Sequence, residues 1–154
     1  MIIVREYRES DASELWDIFY NTVRKINICD YSEAQVNAWA PDDFSVDVWQ
    51  KKMNSISPFV AEIEGQIVGY ADLQADGLID HFFCHYDHQG QGIGRRLMAH
   101  LLSVGRSQGI VRFYSKVSIT ARPFYERFGF NVVCEQTVEI RGQKLKNFVV
   151  EKFS

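Results

Sequence analysis

The chain has 154 residues and a formal net charge of −3, with 46% of its residues apolar and 14% aromatic. That length suits a single domain, residues 1–154, with a sizeable core, and that apolar share excludes a disordered chain. The weak acidity argues against nucleic acid as a partner, which calls for a basic face, and the longest apolar runs are strand-length, which argues against a membrane span.

Cys29, Cys84 and Cys134 lie far apart, form no CxxC pair and follow an N-terminus without a signal-peptide pattern. A reduced, cytoplasmic setting is the expectation. A homodimer stays open.

The β-rich run Ile2-Ile3-Val4 predicts a first strand within Met1–Tyr7. Ser10-Asp11 reads as a helix cap, after which Leu15, Ile18, Phe19, Thr22 and Val23 recur at helical spacing to about Ile26. Ser32-Glu33-Ala34-Gln35 is a capping box opening a second helix that Pro41 stops. A third helix is predicted from about Asp43 to Ile56. Phe59–Ile63 and Gln66–Leu73 read as a hairpin across Glu64-Gly65, and Asp76-Gly77 turns into a central apolar strand around Ile79–Cys84. A helix follows with Ile93, Leu97, Leu101 and Val104 on one stripe. Val111–Val117 reads as a strand, and Thr120 as the cap of a short helix ending at Gly129. Two last strands, Asn131–Ile140 and Lys144–Lys152, are joined at Arg141-Gly142-Gln143; Arg141, Lys144, Lys146 and Lys152 read as a solvated face.

Chemistry concentrates where the central strand meets the fourth helix. Gly90, Gly92 and Gly94 stand at every second position there. Glycines let the backbone approach a ligand, and a helix start offers unpaired N–H groups and a positive dipole end, so the junction is a site for an anionic phosphate. Two nucleotide readings fail on spacing: a P-loop needs a Gly-Lys-Ser/Thr end, and a dinucleotide fingerprint needs Gly where Arg95 stands.

Gln89-Gly90-Gln91-Gly92-Ile93-Gly94 fits Gln/Arg-x-x-Gly-x-Gly/Ala and resembles the acetyl-CoA loop of the GNAT superfamily of N-acetyltransferases. Ser118-Ile119-Thr120-Ala121-Arg122-Pro123-Phe124-Tyr125-Glu126-Arg127-Phe128-Gly129-Phe130 resembles that family's second signature, with Ser118 where Asn is usual. The resemblance implies an α/β fold of the α+β kind: a mixed, mostly antiparallel central sheet of about seven strands with helices on both faces. The central strand and Val111–Val117 would diverge to admit the cofactor. It also implies acetyl-CoA as co-substrate and acetyl transfer to a primary amine of a small molecule or peptide, by direct attack in a ternary complex. The alternative is a non-catalytic acyl-CoA-binding regulatory module with the same fold.

Such a reaction makes three demands. The pyrophosphate would be held by backbone N–H groups from Gln91 to Arg95, with Arg95 or Arg96 adding charge. By resemblance the pantetheine would lie along Phe82, Phe83 and Cys84, with Gln89, Gly90, Gly92, Ile93, Gly94, Ser118 and Phe124 completing the cofactor contacts. The amine must lose a proton; with a pKa of ~10.4 it is neutral in only about one molecule in ~10³ at pH 7, so a base helps. Asp80 and His81 are the candidates, on opposite faces if the strand alternates regularly, with Asp76 and Glu62 as outsiders. The leaving thiolate must gain a proton, and Tyr125 matches the family's tyrosine acid.

His81, Cys84, His85 and His88 match no standard metal-ligand spacing, so no metal is expected. Acceptor choice should lie in the N-terminal helices, which carry Trp16, Tyr20, Cys29, Tyr31, Trp39 and Trp49. The stretch Tyr31-Ser32 to Ala38-Trp39-Ala40 resembles a segment of a bacterial branch whose substrates are mostly unassigned.

Overall fold

The computed structural model describes residues 1–154. In chain order the elements are β1 (Ile2–Glu6), α1 (Ala12–Lys25), α2 (Glu33–Trp39), α3 (Val46–Ile56), β2 (Phe59–Ile63), β3 (Gln66–Ala71), β4 (Leu78–Ile79), β5 (Phe82–Cys84), α4 (Ile93–Ser107), β6 (Arg112–Ser118), α5 (Arg122–Arg127), β7 (Asn131–Ile140) and β8 (Gln143–Phe153). They build two four-stranded sheets, β1-β2-β3-β5 and β4-β6-β8-β7. Only the β4–β6 pair is parallel.

The count exceeds the expected seven because the central strand divides. Leu78 and Ile79 pair with Tyr114 and Ser115 of the second sheet, and Phe82–Cys84 then pair with Ala71–Gly69 of the first. Between them Asp80 and His81 belong to no strand. The cause is Asp72, whose Oδ1 accepts the N–H groups of Asp80 at 2.9 Å and His81 at 2.6 Å. A side chain thus takes donors that a regular ladder would have used. The expected strand alternation, which set Asp80 and His81 on opposite faces, does not apply at this break. Past Ile79, β5 follows β3 while β6 keeps its partner β8, so β5 and β6 diverge.

Helices cover both faces. Leu15, Ile18, Phe19 and Val23 of α1 pack with Trp49 and Met53 of α3 over one face. Ile93, Leu97, Met98 and Leu101 of α4 join Tyr125 of α5 over the other. The Ser32 capping box forms with both arms, Gln35 N–H to Ser32 Oγ at 3.1 Å and Ser32 N–H to Gln35 Oε1 at 2.8 Å. The third helix starts at Val46, later than expected, because Ser45 caps it through Val48 N–H at 3.2 Å. Asp11 makes no side-chain cap; its carboxylate is held by the Arg5 guanidinium at 2.9 Å and by Arg8 N–H at 2.8 Å.

Two hydroxyl and cation assignments also change. Thr120 does not cap α5, whose start has no side-chain cap; Ser118 Oγ accepts Ala121 N–H at 3.0 Å in the turn before it. Arg141 is not merely solvated, since its guanidinium donates to Ala38 O at 2.8 Å and ties the β7–β8 turn to the end of α2. No helix is long and apolar enough to cross a membrane.

Candidate active site

Where β5 and β6 part, the molecule opens into a cavity of about 770 Å³. One end is walled by the glycine turn and α5, through Gly90, Gly92, Gly94, Phe124 and Phe128. The other is walled by Phe19, Tyr31 and Trp39 on the helical side and by Val138 and Leu145 of the last hairpin.

The glycines differ in task. Gly90 and Gly92 have φ values of 75° and 85°, with nothing near where a Cβ would stand. They shape the turn and leave its outer surface open. Gly94 is helical, and a Cβ there would come within 2.9 Å of the Phe124 ring, so its smallness lets α4 close on α5. No backbone carbonyl takes the N–H groups of residues 89–92, and the first helical bond is made by Arg96 N–H to Gly92 O at 3.0 Å. The N–H groups of Ile93, Gly94 and Arg95 are therefore unpaired as well. No acid stands in the first turn of α4, and Arg95 lines the cavity. This arrangement suits a diphosphate.

The flanking side chains are structural. Gln89 donates its amide to Cys84 O at 3.0 Å and His85 O at 3.2 Å, bracing the turn against β5. Gln91 Oε1 lies 3.1 Å from His88 Nδ1 and stands outside the cavity wall. Ile93 is a core residue at 1% exposure.

Along β5, the bonds Asp72 N–H to His81 O and His85 N–H to Val68 O fix the phase of the ladder. Phe83 turns its backbone to β3, while Phe82 and Cys84 turn theirs toward the opening. The Cys84 carbonyl is already taken by Thr22 Oγ1 at 3.0 Å and by Gln89. That leaves Phe82 N–H, Phe82 O and Cys84 N–H for an extended ligand. Burial pushes the Cys84 thiol up to about 12, so it stays protonated and is no nucleophile.

Tyr125 lies in the cavity wall, 2% exposed, its ring against Phe82, Phe124 and Phe130. Burial raises its phenol well above the ordinary value, with the Ser115 side chain pulling the other way. Asp80 also lines the cavity, but its carboxylate is exposed and paired with Lys52 Nζ at 2.6 Å. His81 Nδ1 shares a 3.1 Å hydrogen bond with the Tyr70 hydroxyl. Burial among Phe19, Trp49 and Phe83 drives the imidazole down to about 4; the Asp80 charge opposes that shift and the Lys52 charge assists it. His81 is therefore neutral at pH 7. Asp76 bonds Tyr114 and Glu62 bonds Arg5, and neither reaches the cavity.

Ser118 Oγ already accepts Asn27 Nδ2 at 3.2 Å besides Ala121 N–H. Sequence reasoning missed Asp72, Ser115, Thr120 and Asn147 at this site. Thr120 and Asn147 line the cavity, and Thr120 Oγ1 and Asn147 Oδ1 are buried with no hydrogen-bond partner. Nothing in their local sequence signals that.

A family model described as "Acetyltransferase (GNAT) domain" matches residues 27–152. The chain belongs to the GNAT acetyltransferase family. It is similar to the uncharacterized N-acetyltransferase YafP of Escherichia coli strain K12, 34% identical over 147 residues that cover 96% of this chain and 93% of YafP. A GCN5-related N-acetyltransferase from Rhodopseudomonas palustris superposes with a TM-score of 0.94 at 26% identity, covering 99% of this chain and 95% of that one. PaiA N-acetyltransferase from Thermoplasma acidophilum, solved in complex with coenzyme A, shares the fold with a TM-score of 0.76 at 16% identity, covering 100% and 99%. Membership makes this GNAT chain an acetyl-CoA-dependent N-acetyltransferase, with acetyl-CoA as co-substrate.

Proposed function

We propose that this GNAT protein transfers the acetyl group of acetyl-CoA to the primary amine of a small molecule by direct attack in a ternary complex. The observation that carries the reading is the continuity of one cavity from the unpaired N–H groups at the start of α4 to Tyr125.

The diphosphate sits on the N–H groups of Gln91–Arg95, and the pantetheine runs between β5 and β6, bonded to Phe82 and Cys84. The thioester then reaches the strand break. The amine enters from the opposite end and attacks the carbonyl carbon. Neutral His81 accepts the amine proton, directly or through water, and the Asp80 charge stabilises the imidazolium. Tyr125, held protonated by burial, gives its proton to the leaving thiolate. Cys84 forms no acyl intermediate, because its thiol is not ionised in the working range.

Release of free thiol from acetyl-CoA across an amine panel, with products identified by mass, tests the reading. Acetylated amine supports it; coenzyme binding without turnover on any amine supports the non-catalytic module instead. The base assignment has its own test. The negative charge of Asp80 raises the His81 pKa, so Asp80→Asn is expected to shift the acidic limb of kcat, at saturating amine, to lower pH. His81→Ala is expected to abolish that limb. If both variants keep the wild-type limb, neither residue is the base.

A further inference from the structure

The far end of the cavity is built for a particular kind of amine. Phe19, Trp39 and Phe83 meet there, with ring centroids 6.4 Å apart for Phe19–Trp39, 6.4 Å for Trp39–Phe83 and 5.1 Å for Phe19–Phe83. Val138 and Leu145 of the β7–β8 hairpin form the facing wall. Asp80 is the only carboxylate on the whole cavity surface, and it is already paired with Lys52. A polycationic acceptor would find no second anion. An apolar body, by contrast, would exchange water for ring and aliphatic contacts.

One polar side chain lining the cavity there, Asn147, carries an atom without a hydrogen-bond partner. Asn147 alternates along β8 with Leu145, so both side chains point to the face covered by α1 and α2. Asn147 Oδ1 is buried and receives no donor. Buried acceptors are almost always paired, so this one is expected to meet a donor carried by the ligand. Its position shows which part of the ligand. Ser115, the neighbour of Tyr125, pairs with Val150, and Ser118 pairs with Asn147. Three residues of strand separate the two levels by roughly 10 Å. Asn147 therefore lies too far from Tyr125 to hold the reacting nitrogen.

We infer that the acceptor is a monoamine whose apolar, ring-sized body ends in a hydrogen-bond donor, and that Asn147 is the specificity residue accepting it. The inference rests on the acetyltransferase reading above and names its substrate class.

The test measures kcat/KM of the full chain with tyramine, 2-phenylethylamine, spermidine and a short peptide with a free N-terminus. Tyramine, which has a ring and a terminal hydroxyl, is expected to exceed spermidine and the peptide by ~30-fold or more, the value of burying one aromatic ring. In Asn147→Leu the advantage of tyramine over 2-phenylethylamine should fall by ~10-fold, with coenzyme affinity unchanged. The melting temperature should hold or rise, because an unpaired buried polar atom has been removed. A residue that only supports the fold would lower the melting temperature and leave the tyramine preference intact, and that result overturns the role of Asn147. Spermidine or the peptide acetylated as well as tyramine overturns the substrate class while the transferase reading stands. No turnover of any amine overturns both.

Discussion

Tyr125→Phe is expected to lower kcat by ~10-fold or more while coenzyme A affinity stays within about twofold. Tyr125 lines the cavity beside Ser115, and burial holds its pKa above the ordinary value, so the phenol stays protonated across the whole neutral range. A thiolate leaving without a donor must wait for water. The Phe ring keeps the packing against Phe82, Phe124 and Phe130, so stability should change little. Rapid-quench or thiol-release kinetics, with calorimetry for the coenzyme, separate the two effects. Unchanged turnover would remove Tyr125 from the mechanism.

The second large effect is expected at Asp72, which the coenzyme does not need to touch. Its side chain is wholly buried, and Oδ1 holds the two N–H groups at the strand break while Oδ2 takes Gln74 Nε2 at 2.5 Å. Asp72→Ala leaves two donors without a partner, each costing about 1–3 kcal/mol, so a loss of roughly 2–6 kcal/mol is expected in urea unfolding. Turnover should fall as well, since Asp80 and His81 lose the anchor that sets them.

Asp72→Asn should behave differently with pH. Burial raises the Asp72 carboxyl from 3.8 to about 6, against the opposing pull of its hydrogen bonds. A raised folded-state pKa gives stability that is present below the unfolded value and lost as pH rises through about 6. The Asn variant lacks that loss. Its stability relative to the wild type should therefore improve between pH 4 and pH 7, by about 3 kcal/mol at most. Denaturation midpoints compared at those two values check the sign.

Much of the turn between β5 and α4 was legible in the residues themselves. A glycine at alternate positions before an amphipathic helix has few uses other than a close backbone approach, and the second stretch carries its tyrosine at a fixed distance from its closing Gly129. The strand break was not legible, because Asp72 imposes it from outside the run it interrupts. Local pattern made Thr120 the cap of α5, yet no side chain caps that helix, and Ser118 Oγ accepts Ala121 N–H in the turn before it. Asn27, remote in sequence, also donates to Ser118. The aromatic residues of the N-terminal helices show the same limit. Trp49 is 5% exposed and donates its indole N–H to Ala12 O, whereas Trp39 opens onto the cavity, and nothing in their spacing separates the two.

The account depends on main-chain donors at the start of α4 gripping a diphosphate. Titrating coenzyme A into the isotopically labelled protein and following each backbone amide tests that most directly. The largest shifts are predicted at Gln91, Gly92, Ile93, Gly94 and Arg95, saturating together with those of Phe82 and Cys84. Saturable binding that leaves those amides unmoved, or no binding at all, would contradict it.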